Sequence, residues 1–163
     1  MTIRPELPGD EAAIHTVNEA AFGGRDEATL VDQLRQNGDF VFSLVATDGP
    51  SVVGHALFTR LVAPAGSLAL APVAVLPDYQ NHGIGSRLIQ EGLDRAKAAG
   101  WRRVFVLGEP AYYQRFGFSL DIGERFRSPY AGPYFMGLCF EADAMRADDD
   151  DEIVYPAPFQ HLA

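Results

Sequence analysis

The stretch LALAPVAVLPDYQNHGIGSRLIQEGLDRAKAAGWRRVFVL, residues 68–107, decides the fold. Its opening, Leu68–Leu76, is apolar without alternation, which predicts a strand covered on both faces. RVFVL, residues 103–107, reads the same way. Between them Ile84, Leu88, Ile89, Leu93 and Ala96 recur at helical spacing, and Gly100 marks a stop. A strand, a helix and a strand of this length form a right-handed crossover with the two strands parallel. Pro72 interrupts the first strand and cannot donate to a ladder. A bulge is therefore expected there, splaying this strand from its neighbour.

Working outward, TIRP (2–5) reads as a first strand. Asp10 is placed to cap a helix carrying Ile14, Val17 and Ala21, which Gly23-Gly24 stops. Asp26 is placed to cap a second helix carrying Leu30, Val31 and Leu34, ended by Asn37-Gly38. VFSLVA (41–46) and VVGHALF (52–58) flank TDGPS, a hairpin signature, and APAGS (63–67) turns the chain again. After residue 107, PAYYQRF (110–116) predicts a short helix, and GFSL (117–120), YFMGLCFEA (134–142) and EIVYPA (152–157) complete the strand count. The fold class is α/β, or α+β: a mixed sheet with helices on it. One domain is expected over residues 1–163, with an acidic loop at 148–152 and a strand and tail at 153–163.

The chain has 163 residues, 47% hydrophobic and 21% charged, enough to bury a core. Its formal charge of −9 repels phosphate backbones, so nucleic acid is not an expected partner, whereas protonated amines are attracted. No apolar run approaches the roughly 20 residues that cross a bilayer, so no membrane partner is expected. The first residues, MTIRPELPGDE, carry neither a basic start nor an apolar segment, and Cys139 is the sole cysteine. Both point to a reducing, cytoplasmic location. The four histidines, His15, His55, His82 and His161, are scattered, and no metal-binding spacing appears.

Gly83 and Gly85 stand where a strand becomes a helix. A helix N-terminus offers free N–H donors and the positive end of a dipole, and glycine removes the Cβ atoms that would keep a phosphate away. The first helical turn is thus a candidate pyrophosphate cradle. Leu88 occupies the place of the third glycine of the dinucleotide fingerprint, and the Gly-Lys-Ser/Thr of ATP loops is absent.

In its surroundings, VAVLPDYQNHGIGSRLI is similar to the acyl-CoA-binding signature of the GNAT superfamily of N-acetyltransferases. The core of that signature, Gln/Arg-x-x-Gly-x-Gly/Ala, falls on Gln80 to Gly85. YYQRFGF resembles the family's Tyr-x-x-x-Gly-Phe ending, with Tyr113 four residues before Gly117. The resemblance covers about residues 1–120. Within the superfamily, GEPAYYQRFGF and the tail VYPAPF are similar to a branch of small N-acetyltransferases with no agreed substrate.

The resemblance implies a GNAT-like sheet, mixed and mostly antiparallel, around the central parallel βαβ unit, with acetyl-CoA as co-substrate. It assigns Val73, Ala74 and Val75 to hydrogen bonds with the pantetheine arm, and Gln80, Asn81, His82, Gly83, Ile84, Gly85 and Ser86 to the pyrophosphate loop. It puts the general acid on Tyr113, which would protonate the departing thiolate, and Phe116 near the pantetheine. Tyr112 is expected to line the site or the core. Relatives often carry Arg or Lys where this chain has Asn81 and His82, so moderate cofactor affinity is expected. The N–H near Val75 is the candidate contact for the oxyanion.

Glu109, in GEPA where relatives often have asparagine, is the candidate for relaying a proton from the amine. His55 either reaches the cleft or is a hydrogen-bonded sheet histidine, and the second reading is preferred. Cys139 reads as packing. The activity implied is direct transfer of an acetyl group to a primary amine of a small molecule or peptide, with a cationic acceptor favoured by the charge. The alternative is an acyl-CoA-binding sensor or assembly module without turnover. Pairing of two subunits through strands after Phe118 stays open.

Overall fold

Two periodicities, two residues in strands and 3.6 in helices, sort the apolar side chains into two separate cores. A computed structural model of the chain describes residues 1–141 and 152–161. The elements are β1 (Thr2–Pro5), α1 (Glu11–Phe22), α2 (Asp26–Asn37), β2 (Phe40–Asp48), β3 (Ser51–Arg60) and β4 (Ser67–Val75). They continue with α3 (Ile84–Ala98), β5 (Arg103–Leu107), α4 (Pro110–Tyr113), α5 (Leu120–Glu124) and β6 (Phe135–Cys139). The strands form one six-stranded sheet in sequence order, antiparallel except for the parallel pair β4–β5.

Alternation along the strands supplies both faces. Ile14, Leu30, Val31 and Leu34 of α1 and α2 pack with Val45, Leu57, Ala69 and Phe105. On the opposite face Ile84, Leu88, Ile89, Leu93 and Ala96 of α3 pack with Leu44, Ala46, Phe58, Val104 and Val106. The expected helix stripe is thus the buried one. α3 lies hard against β3: a Cβ on Gly92 would sit 2.1 Å from the Phe58 ring, so only glycine admits this approach.

The strand containing Pro72 behaves as its sequence predicts. Opposite β3, Ala56 pairs with Val73 and Phe58 with Leu70, so β4 carries one extra residue at Ala71-Pro72. Towards β5, pairing runs only from Ser67↔Arg103 to Ala69↔Phe105, and beyond that the two strands part.

Several local expectations need correction. Asp10 makes no cap bond; its carboxylate accepts instead from Arg4 Nη1 at 2.7 Å and the Leu7 N–H at 2.8 Å. Asp26 is the first residue of α2 and also makes no side-chain cap bond. GFSL is not a strand. Only Ser119 bridges to Gly137, and its hydroxyl then accepts from the Ile122 N–H at 3.4 Å, starting α5. EIVYPA makes isolated bridges, Glu152 with Arg127 and Val154 with Ala63, before a 3-10 turn at Ala157–His161. Pro156 and Pro158 cannot extend a ladder there. Residues 148–151 of the expected acidic loop lie outside the described residues. Among the described residues, no helix is long and apolar enough to cross a membrane.

Candidate active site

Past Val75 the chain makes one 3-10 turn, Pro77–Tyr79, and then twists back on itself. Asn81 and Gly83 both take left-handed backbone conformations, at φ 65° and 80°. The Gln80 side-chain amide donates to the Val75 carbonyl at 3.0 Å, tying the loop to the strand end. Gly83 closes the first helical bond, accepting from the Arg87 N–H at 3.1 Å. The N–H groups of Ile84, Gly85 and Ser86 consequently have no intrahelical partner.

The two glycines do different work. A Cβ on Gly83 would meet nothing within 4 Å, so its requirement is conformational. At Gly85 a Cβ would project into the open cleft in front of the helix, 3.2 Å from the Tyr112 hydroxyl. That cleft, of about 440 Å³, is lined by the loop, by Tyr112 and Ser86, and by Arg115. Tyr112 Oη and Ser86 Oγ are 3.1 Å apart. The Arg115 guanidinium stacks 4.5 Å above the Tyr112 ring and reaches Ser86 Oγ at 3.5 Å. The cleft wall therefore combines orphan backbone donors, two hydroxyls and one exposed cation, which suits a doubly charged phosphate group.

The parting of β4 from β5 adjoins this cleft. Leu76 N–H bonds to the Val53 carbonyl at 2.9 Å. Ladder alternation then aims the backbone groups of Ala74 at β3, and those of Val73 and Val75 away from it, into the gap. Of the three strand residues expected to face the cofactor, Ala74 does so least.

The aromatic residues after β5 divide in two directions. The Tyr113 ring covers Gly108 at the strand end, where a Cβ would collide with it at 2.3 Å. Its hydroxyl makes no hydrogen bond among the described residues, and burial pushes its pKa up to about 12. Phe116 does not line the cleft but packs on Tyr112, ring centroids 5.4 Å apart. The Glu109 side chain is exposed and does not line the cleft; its carbonyl accepts from the N–H groups of Tyr112 and Tyr113, both at 3.1 Å. His82 is exposed as well, with Nδ1 3.3 Å from the Tyr79 carbonyl.

His55 is the sheet histidine expected, fully buried. Asn18 Nδ2 donates to its Nδ1 at 3.2 Å, which leaves the proton on Nε2, 3.0 Å from Ser43 Oγ. Ser43 donates to Glu6 at 2.6 Å, and Arg35 closes the chain on the other Glu6 oxygen. Burial, reinforced by the Arg35 charge, pushes the His55 pKa down to about 3, so the ring is neutral. Cys139 is half-buried in β6, and burial raises its thiol pKa, unlike an activated nucleophile.

The model of the acetyltransferase (GNAT) family matches residues 11–118. This chain belongs to that family. As a GNAT acetyltransferase it is 36% identical over 136 residues to the uncharacterized N-acetyltransferase YhbS of Escherichia coli K12, covering 81% of each chain. It is 36% identical over 147 residues to YjhQ of the same strain, 85% of this chain and 81% of that one. Among solved structures, YhbS from Escherichia coli in complex with CoA superposes with TM-score 0.91 at 31% identity, over 99% and 93% of the chains. A GNAT family acetyltransferase from Brucella melitensis in complex with acetyl-CoA gives 0.82 at 36% identity, over 97% of each.

Arg115 is the site residue that the sequence reading of this GNAT chain did not single out. The available signal was its position three residues after Tyr112, one helical turn on, beside a loop short of cations.

Proposed function

We propose that this protein transfers the acetyl group of acetyl-CoA to a primary amine of a small molecule or peptide by direct attack, without an acyl-enzyme. The observation carrying the reading is the union of two features: a helix N-terminus whose Gly85 leaves the cleft open, and a strand pair parted beside it. Bound there, acetyl-CoA supplies an activated thioester. Asn81, Gly83 and the N–H groups of Ile84 to Ser86 would hold its pyrophosphate, with Arg115 in place of the basic loop residues that relatives often carry. The gap-facing groups of Val73 would take the pantetheine arm, with Val75 next to the thioester end.

The chain's own residues divide the proton work. As the C–N bond forms and the C–S bond breaks, the amine loses a proton and the thiolate gains one. The uncommitted Tyr113 hydroxyl, whose ring covers Gly108 at the end of β5, is assigned the second transfer. Tyr112, bonded to Ser86, is assigned to the phosphate end. The N–H of Val75 is assigned to the carbonyl oxygen as it gains charge. Glu109 remains the residue assigned to relay the amine proton through water. The net charge of −9 favours a cationic acceptor.

The test is Gly85→Val. Calorimetry should show acetyl-CoA affinity lowered at least about a hundredfold while the protein keeps its fold, since the substitution fills the cleft rather than the core. Unchanged affinity would remove the cradle assignment. Tight binding of acetyl-CoA without thiol release on any amine would point to a sensor instead.

A further inference from the structure

A second cavity, of about 450 Å³, lies where the sheet opens. Its lining includes Ala69, Ala71, Phe105 and Leu107 from one face of the sheet, together with Leu70 and Val106, which pack into the opposite core. Alternation forbids neighbouring residues from lining one cavity in a closed sheet. The cavity therefore enters the gap between β4 and β5 from the side of α1 and α2.

The rest of its wall is aromatic and acidic. Tyr130, Tyr155 and Phe159 line it as one packed group, with ring centroids 4.9 Å apart for Tyr130–Tyr155 and 5.1 Å for Tyr155–Phe159. The Tyr130 proton is already committed: its hydroxyl donates to the Phe159 carbonyl at 3.2 Å. Asp26 and Glu27, at the start of α2, complete the lining, and neither has a cationic partner among the described residues. Among the described residues, no lysine, arginine or histidine lines the cavity. Leu107, 52% exposed, adds apolar surface that the described residues leave uncovered.

We infer that this cavity receives the acceptor, and that the acceptor is a ring-bearing primary amine without a carboxylate, an arylalkylamine. The inference rests on the acetyl-transfer reading above and adds the substrate class. The aromatic wall takes a flat apolar body edge-to-face or as a cation–π partner. The two carboxylates draw in the ammonium and repel any acceptor that carries its own carboxylate or phosphate. With the Tyr130 proton committed and the rest of the lining aliphatic or aromatic apart from the two carboxylates, a sugar amine or a polyamine finds few hydrogen-bond partners. The ammonium gives up one proton to solvent. The C–N bond then forms as the C–S bond breaks, nitrogen loses a second proton, and the thiolate takes one from the enzyme's acid. One proton is released per turnover.

The experiment is a set of calorimetric titrations of 2-phenylethylamine, phenylalanine, glucosamine and spermidine into the protein, with and without saturating CoA. CoA carries no acetyl group, so nothing turns over. Saturable binding of phenylethylamine, at least tenfold tighter than any of the other three, is expected. The double variant Asp26→Asn, Glu27→Gln should weaken it by about three- to tenfold and leave CoA affinity unchanged. Equal affinities for phenylethylamine and phenylalanine, an unaltered double variant, or an acceptor-free titration in both series would overturn the inference. If CoA fails to bind, the cofactor reading falls, and the series without CoA still decides on the cavity.

Discussion

Adjacent tyrosines at 112 and 113 look interchangeable by composition, yet their hydroxyls have opposite surroundings. Tyr112 is bonded to Ser86 and stacked under Arg115, and Tyr113 is half-buried with no hydrogen-bond partner for its hydroxyl among the described residues. Tyr112→Phe is expected to weaken acetyl-CoA binding by about three- to tenfold with little change in turnover, since one hydrogen bond and its neighbour's order are lost. Tyr113→Phe should lower kcat by about a hundredfold or more while acetyl-CoA affinity holds. The pH profile separates the two further. A group with its pKa pushed up to about 12 keeps its proton throughout the working range. Wild-type kcat should therefore show no alkaline fall between pH 8 and 10.5, whereas an acid near the ordinary tyrosine value of about 10 would begin to fail there. The motif spacing pointed to Tyr113, but which tyrosine lines the cleft at the glycine loop was not legible. That depends on how the short helix α4 docks, and neighbouring positions on one turn give no periodic signal.

At the scale of elements, the crossover of β4, α3 and β5 was readable because its apolar residues carry both periods and Pro72 marks the break. α5 was not, because Leu120–Glu124 is too short for periodicity and its cap is one serine hydroxyl. The polar chain from Arg35 through Glu6, Ser43 and His55 to Asn18 joins α2, β2, β3 and α1, and only tertiary packing assembles it. It has a pH signature. The His55 pKa is about 3 in the folded protein and about 6.5 in an unfolded chain, so the unfolded state takes up a proton that the folded state refuses. Stability from this site is complete above pH 6.5 and is lost as pH falls toward 3. Urea denaturation should lose on the order of 2–3 kcal/mol between pH 7 and 4.5 from this residue. A His55→Gln variant, weaker at neutral pH, should show a correspondingly shallower slope; equal slopes would mean that His55 is not the sensor.

For the molecule as a whole, the charge of −9 predicts a salt effect on a cationic acceptor. Screening lengths fall from about 30 Å at 0.01 M to about 8 Å at 0.15 M ionic strength. KM for a cationic amine should rise severalfold across that range with kcat steady, and a flat response would remove electrostatic attraction from the account. The acceptor cavity was invisible in the sequence for a plain reason: residues 26–27, 69–71, 105–107, 130 and 155–159 meet only when the sheet is built. The opened sheet has one more consequence. Among the described residues, strand pairing between the first four strands and the last two runs only from Ser67–Arg103 to Ala69–Phe105, extended by the Arg102 N–H to the Gly66 carbonyl and by the Arg103 side chain. A slender extended guest lodged in the crevice would act as a staple across that seam. Occupancy would then toughen the fold against heat and proteolysis, so the lifetime of the protein would follow the supply of its own acyl donor.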